Sequence, residues 1–370
     1  MEKSILITGG AGFIGSHLAD DLLAHGWAVR VLDNLTPQVH GGATRPEYLD
    51  PRVELVQGDI RDRSAVVRAL DGVDAVAHLA ARVGVGQSMY EIARYTEVNS
   101  LGTAVLLEAL PDRSVERLVV ASSMSVYGEG LYRTADGEPV APRERPREQL
   151  ERGEWEPKGP DGRPLEPVPT PESKPPALSS VYALTKYDQE RLCLMFGSAY
   201  GVPVTALRLF NTYGPRQALS NPYTGVLAIF ASRLMNGKPP LVYEDGRQRR
   251  DFVSVSDVAR ACRLALESDR VAGQVLNVGS GRSTSVLDVA QKLATVLGVS
   301  IEPELTGKSR AGDIRHCFAD ISRARELLGY EPQVTLEDGM AELAEWLKGQ
   351  PALDRVDAAN EELSSRGLTI

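Results

Sequence analysis

The sequence predicts an α/β protein: a doubly wound parallel sheet with a smaller mixed α/β domain attached. Two observations carry that prediction. Short apolar runs alternate with helical patterns along the first third of the chain, and four glycines crowd the corner between the first run and the first helical pattern. Parallel strands are buried on both faces, so they read as unbroken runs of valine, leucine and isoleucine, each separated from the next by a crossover helix.

The elements follow in order. SILIT, AVRVLD, VELVQGD, AVAHLA and ERLVVASS read as strands, and GSHLADDLLAHG, RSAVVRALDG and RYTEVNSLGTAVLLEAL between them carry apolar residues at helical spacing. From Leu131 to Pro176 the texture changes. Eleven of the 23 prolines lie there and apolar periodicity is lost, so the segment reads as a surface insertion, partly mobile. It is either a solvated loop without function or a lid over a ligand pocket with Trp155 as its anchor. Order returns with the strong helix SSVYALTKYDQERLCLMFGSAYG and the strand VPVTALRLF. FASRLMNG, the strand PPLVYEDG and helices around DVARACRLALES and VLDVAQKLATVLG come next, and PALDRVDAANEELSSRGLTI reads as a polar tail with room for one short helix. The expected organisation is a first domain over 1–209 carrying the insertion at about 131–176, a second over 210–350 interleaved with it, and a tail over 351–370.

A chain of 370 residues with this apolar content builds its core without metal or disulfide staples. The net charge of −9 argues against a nucleic-acid surface, which needs a basic face, while leaving room for a small anionic ligand held by a few local cations. Cys193, Cys262 and Cys317 are few and widely spaced, with no paired motif, which fits a reducing compartment and no zinc site. No run reaches the ~20 apolar residues of a membrane span, and no signal segment opens the chain. The expected location is cytoplasmic, and no metal is expected.

The glycines have a specific reading. Gly9, Gly12 and Gly15 form G-x-x-G-x-x-G between a strand and a helix, the context of a Rossmann-type dinucleotide site. Glycine costs a helix interior about 1 kcal/mol relative to alanine. Its crowding here implies that something approaches the backbone closely, and a pyrophosphate facing a helix N-terminus satisfies that requirement. A plain tight turn is the competing reading. The second strand weighs against it, because it ends in Asp33 at the expected distance from the loop. A carboxylate there bonds both ribose hydroxyls of NAD and repels the 2′-phosphate of NADP, so NAD is the expected cofactor, with Asn34 adding a neutral polar group.

Tyr182 and Lys186 form Y-x-x-x-K, a spacing that sets both side chains on one helix face. A free phenol titrates near ~10, too high for an efficient base at neutral pH. A nearby ammonium and a positive nicotinamide both favour phenolate. Tyr182 then takes a proton from a sugar hydroxyl while hydride leaves the same carbon, Lys186 also holds the nicotinamide ribose, and a hydroxyl from the strand end Ser122–Ser125 shares the proton.

TGGAGFIGSHL, Asp33, GDI (58–60), HLAA (78–81), ASSMSVYG, YALTK and RLFNTYGPRQ occur in this order. Together they resemble the extended short-chain dehydrogenase/reductase family, in particular its nucleotide-sugar epimerases and dehydratases, over roughly residues 1–345 apart from the insertion. The resemblance implies cofactor positions at Gly9, Gly12, Phe13, Ile14, Gly15, Asp33, Asn34, Asp59, Ile60, Leu79, Ala80, Ala81 and Asn99. It implies catalytic roles for Ser123, Tyr182 and Lys186. It places substrate contacts at Asn211 and at Arg250 and Arg310, whose guanidinium forks match diphosphate oxygens; Leu241 and Tyr243 are expected at the substrate as well.

The dehydratases of this family resemble S-T-D-E-V-Y-G at the strand end, where the Asp and Glu eliminate water, and the UDP-glucuronate decarboxylases also carry a Glu. Here Met124 and Ser125 stand at the two acid positions. What remains is the set needed for reversible oxidation at one carbon, which suits a 4-epimerase: a bound 4-keto sugar rotates and receives hydride on its other face. ARVGVGQSMYEIARY resembles the substrate loop of bacterial epimerases, including those acting on dTDP-L-rhamnose. Val83, Val85, Met89 and Met124 then offer an apolar wall that suits a C6 methyl, since a buried unpaired hydroxyl costs roughly 1–3 kcal/mol. A dTDP-6-deoxyhexose is the expected substrate. Competing readings are a UDP-glucose/galactose or UDP-uronate 4-epimerase, a dehydratase, decarboxylase or net oxidoreductase of the same family, and a non-catalytic NAD sensor.

Other residues read as structural. His17, His25, His40, His78 and His316 show no metal spacing, and Cys193 sits among apolar neighbours. The helices around Tyr95–Leu110 and Tyr182–Tyr200 carry apolar stripes that intramolecular packing explains as well as pairing across a homodimer, the arrangement the resemblance implies.

Overall fold

The computed structural model describes residues 3–42, 44–223, 225–351 and 353–370. Seven parallel strands form the central sheet: β1 (Ser4–Thr8), β2 (Ala28–Asp33), β3 (Glu54–Gln57), β4 (Ala75–His78), β5 (Arg117–Ser123), β6 (Val204–Leu209) and β7 (Val275–Val278). Their spatial order is β3-β2-β1-β4-β5-β6-β7. The chain winds outward from β1 in both directions, so the crevice at the switch between β1 and β4 opens at the carboxyl ends of the strands. The doubly wound α/β fold is as the apolar runs predict.

Both faces of this sheet are dry. One apolar cluster joins Ile5, Ile7, Leu18, Leu22 and Val31 to Val258 and Cys262 of the helix Val255–Glu267; the other joins Leu6, Val66, Leu106 and Val120 to Cys193 and Phe196 of the helix Val181–Tyr200. A third cluster, around Tyr213, Leu227, Phe230, Val289 and Leu343, is the core of the region that follows β6. β7 lies between residues 210 and 350 in sequence yet pairs with β6 in register from Val275–Ala206 to Val278–Leu209.

One expectation about texture is corrected. The segment 131–176 is not a solvated loop. Leu131–Arg133 pairs antiparallel with Pro139–Val140 and with Glu166–Val168, a short helix spans Arg147–Glu151, and Tyr132 and Thr170 are fully buried. Charge rather than apolar periodicity holds it. Arg145 reaches Glu244 at 2.7 Å, and Glu156 takes Arg315 at 2.6 Å and His316 at 2.9 Å, all across to the region that follows β6. In the segment read as a polar tail, the short helix that the sequence leaves room for is formed over Val356–Ser365, and it buries Val356, Ala359 and Leu363. Its apolar positions recur at helical spacing among so many polar residues that composition hides them.

Candidate active site

One large cavity, about 650 Å³, runs along the carboxyl ends of the central strands and into the region that follows β6. Its first half is built by the glycine corner. β1 delivers the chain to Gly9, whose φ of +70° is a left-handed conformation that favours glycine, and a Cβ there stands 2.8 Å from the backbone nitrogen of Ala80. A Cβ on Gly15 meets the carbonyl oxygen of Gly9 at 2.5 Å, so the helix Phe13–Ala24 packs against its own entry loop only with glycine at this place. Gly12 caps that helix without a side chain, which leaves the first-turn N–H groups to whatever lies in the cavity. At the end of β2, Asp33 accepts from the backbone nitrogens of Ala11 at 3.1 Å and Leu35 at 2.9 Å, so its carboxylate is fixed beside the loop. A pyrophosphate cradle with a ribose-binding acid at one end fits a dinucleotide.

Gly9, Gly12, Phe13, Ile14, Gly15, Asp33, Asn34, Ile60, Leu79, Ala80 and Ala81 all line this half. Two positions that the resemblance implies for the cofactor, Asn99 and Asp59, stand behind residues of this wall rather than in it. Asn99 is fully buried behind the wall, in a π-helical turn spanning Thr96–Leu101. Its amide accepts from the Arg82 nitrogen at 2.7 Å and donates to Thr185 Oγ1 at 3.0 Å, so it ties the β4 exit to the Tyr182 helix. Asp59 faces Arg61 and Asn34; the Arg61 guanidinium holds its carboxyl down at about 2. Arg61 itself lines the cavity, where sequence reasoning did not look for a cation.

Ser123, Tyr182 and Lys186 all line the same cavity, and the Tyr182 hydroxyl is hydrogen-bonded with Ser123. Ser123 is the last residue of β5, while Ser180 caps the long helix by accepting from the Ala183 nitrogen, so that Tyr182 lies in its first turn and Lys186 follows one turn later on the same face. Burial raises the Tyr182 phenol above its ordinary value, opposed by its hydrogen bond with Ser123. Burial lowers the Lys186 ammonium to about 8, and it donates to Gln189 Oε1 at 2.7 Å. The helical spacing therefore sets the pair on one face, as expected, but by itself it does not depress the phenol.

The residues expected at the substrate, Val83, Val85, Met124, Ser125, Asn211, Leu241, Tyr243, Arg250 and Arg310, line the rest of the cavity. Arg250 is held by the carbonyl oxygens of Arg315, at 2.9 Å, and Ile314. Arg310 pairs with Asp313 at 3.0 Å and lies 4.3 Å from the Tyr243 ring centroid. Among the described residues the cavity is lined by two carboxylates, Asp33 and Asp313, one bonded to the glycine loop and the other to Arg310. No residue of the 131–176 segment lines it, so the lid expectation, with Trp155 as anchor, is corrected too. Sequence reasoning also missed Arg82, Gln217, Tyr223, Gln248, Asn360 and Leu363, which all line the cavity. Arg82, Gln217, Tyr223 and Gln248 come from loops, where no spacing rule applies; Asn360 and Leu363 come from the helix Val356–Ser365, whose helical spacing gives no sign of which surface its face covers.

The chain matches the model of the "NAD dependent epimerase/dehydratase family" over residues 5–149 and 155–279. It is 41% identical over 362 residues to dTDP-L-rhamnose 4-epimerase of Burkholderia thailandensis, covering 95% of this chain and 96% of that protein. It is 31% identical over 346 residues to a putative UDP-glucose 4-epimerase of Methanocaldococcus jannaschii, covering 93% and 98%. Among solved structures, UDP-glucose 4-epimerase of Thermotoga maritima with UDP-glucose superposes with a TM-score of 0.77 at 33% identity, covering 93% of this chain and 98% of that one. The Thermus thermophilus UDP-glucose 4-epimerase complex with NAD gives 0.75 at 33% identity, covering 94% and 100%.

Proposed function

The chain belongs to the NAD dependent epimerase/dehydratase family, a branch of the extended short-chain dehydrogenases/reductases, and from that membership we propose that it inverts C4 of a dTDP-hexose through a transient 4-keto sugar. At the coarser level it is an NAD-dependent nucleotide-sugar epimerase, an isomerase. The observation that carries the finer reading is the strand end after Ser122. Met124 and Ser125 line the cavity there, and the two carboxylates of the cavity wall are engaged by the glycine loop and by Arg310. Elimination of water needs a free acid beside the reacting carbon, and the described residues of this wall offer none.

NAD, when bound, supplies a reversible hydride acceptor. The residues around it do the rest. The Tyr182 phenolate takes the C4 hydroxyl proton and returns it. The hydrogen bond with Ser123 opposes the rise that burial imposes on the phenol, and a positive nicotinamide beside it would favour the phenolate further. Ser123 bonds the reacting oxygen on its other side. Arg250 and Arg310 hold the diphosphate while the sugar turns, which keeps the ketone from leaving before its second face is presented.

A 6-deoxyhexose such as dTDP-L-rhamnose is the preferred substrate. The reading is supported by the apolar side chains Val83, Val85, Met89 and Met124 in the cavity wall, which suit a C6 methyl, and by the similarity to the Burkholderia thailandensis enzyme. UDP-glucose or UDP-uronate inversion is the second reading, supported by the similarity to UDP-sugar epimerases. We also propose a homodimer paired through the helices around Tyr95–Leu110 and Tyr182–Tyr200, because Leu101, Leu184 and Met195 on them are each more than half exposed.

The test is incubation of the purified protein with a panel of dTDP- and UDP-sugars without added cofactor, with products read by NMR. Inversion at C4 alone, fastest with the dTDP-6-deoxyhexose, is the expected outcome. Loss of water or of carbon dioxide overturns the reaction, and preference for a UDP-hexose overturns the substrate.

A further inference from the structure

Residues 353–370 supply a wall of the cavity that no motif announces. The helix Val356–Ser365 faces the cavity with Val356, Ala359, Asn360 and Leu363, and Leu368 follows. These helix positions are spaced i, i+3, i+4, i+7, a single face. The face is fastened at both ends. Asp357 takes Arg233 at 2.6 Å and Lys238 at 2.8 Å, while Leu368 and Ile370 pair through their backbones with Ala311 and Ser309 on either side of Arg310. Along its length it bridges the two halves of the molecule. Leu363 fills the space that Gly86 leaves by lacking a Cβ, and the Arg366 guanidinium lies 4.5 Å from the Tyr90 ring centroid.

Packing explains the three apolar residues of that face and does not explain Asn360. Its Oδ1 accepts from the Tyr243 hydroxyl at 2.9 Å, and its Nδ2 protons have no partner among the described residues. Tyr243 carries the Arg310 guanidinium over its ring, so the unused donor stands in the neighbourhood of a fixed cation. A donor beside a cation selects an oxygen-rich anion. We propose that Asn360 is a substrate-binding residue, whose amide donates to an oxygen of a pyrimidine nucleoside diphosphate lying between Tyr243 and Arg310 under the wall formed by residues 353–370. The ligand class rests on the nucleotide-sugar reading above; the placement rests on the geometry of this wall.

Binding of UDP and of dTDP, measured by titration calorimetry, tests this without turnover. Asn360→Asp keeps an acceptor for Tyr243 and loses the donor, and Asn360→Ala loses both. Removing one hydrogen bond to a charged group raises Kd about 10-fold or more, so Kd is expected to rise by that much in Asn360→Ala and further in Asn360→Asp, whose added carboxylate repels the phosphates. Glu361→Ala, on the exposed side of the same helix, is expected to leave Kd unchanged. If both nucleotides bind the unaltered chain and Asn360→Asp stays within about twofold of it, Asn360 is no ligand and the epimerase reading stands. If neither nucleotide binds the unaltered chain, the nucleotide-sugar reading falls and this proposal falls with it.

Discussion

At the scale of single residues, burial sets the chemistry more than sequence neighbours do. Lys186 and Tyr182 are four apart, yet the dominant influence on each is loss of water: the ammonium is pushed down to about 8 and the phenol is pushed up. His78 shows the same effect without a reactive role. It is fully buried, bonded to Thr8 Oγ1 at 2.7 Å and to Thr103 Oγ1 at 2.8 Å, and burial lowers it from 6.5 to about 3. The unfolded chain takes up a proton below 6.5 that the folded chain refuses, so stability is full above 6.5 and is lost as pH falls toward 3. Between pH 7.5 and pH 5.5 this one ring removes about 1.4 kcal/mol. Urea unfolding at the two pH values is expected to show that much less pH dependence in His78→Gln. Equal pH dependence in both proteins means that the ring is not a buried neutral one.

At the scale of elements, the 131–176 segment is the instructive case. Its prolines and charges predict a loop, because no sequence window shows which charge meets which. In the fold, Arg315 is fully buried and pairs with Glu156 at 2.6 Å, Glu244 at 2.9 Å and Asp245 at 2.6 Å. These partners come from two distant stretches of chain. The same residue offers its carbonyl to Arg250, so the segment buttresses a cation of the cavity from outside. Removing one member of a buried ion network leaves the others uncompensated and costs about 3–5 kcal/mol. Arg315→Leu is expected to lose that much in urea unfolding; a loss below about 1 kcal/mol, the level of an exposed pair, overturns the account. The glycine corner lies at the opposite extreme. Gly9 and Gly15 were legible from the sequence because their constraint is local: a loop folded so tightly against its own strand and helix admits no Cβ.

At the scale of the whole molecule, the unspent apolar surface points outward from the helix that carries Tyr182. Leu184 is 53% exposed and Met195 52%, both on the helix that carries Tyr182 and Lys186. Pairing of two copies through this surface removes it from water at roughly 25 cal/mol per Å². The protein is expected to sediment as a dimer, and the double variant Leu184→Glu, Met195→Glu as a monomer. A monomeric parent chain overturns the dimer.

Sequence alone determined the parts whose cause lies within a few residues of each other. These are the strand-helix alternation, the glycine cradle, the acid at the end of the second strand and the helical spacing of Tyr182 and Lys186. Tertiary structure alone decided the parts whose cause is the meeting of distant segments. It put Asn99 behind the cavity wall, turned a proline-rich stretch into a buttress, and folded an apparently polar segment against the cavity. Periodicity and motif spacing record local geometry. Burial, and with it the fate of every charge and amide here, depends on which remote surface a segment finally covers.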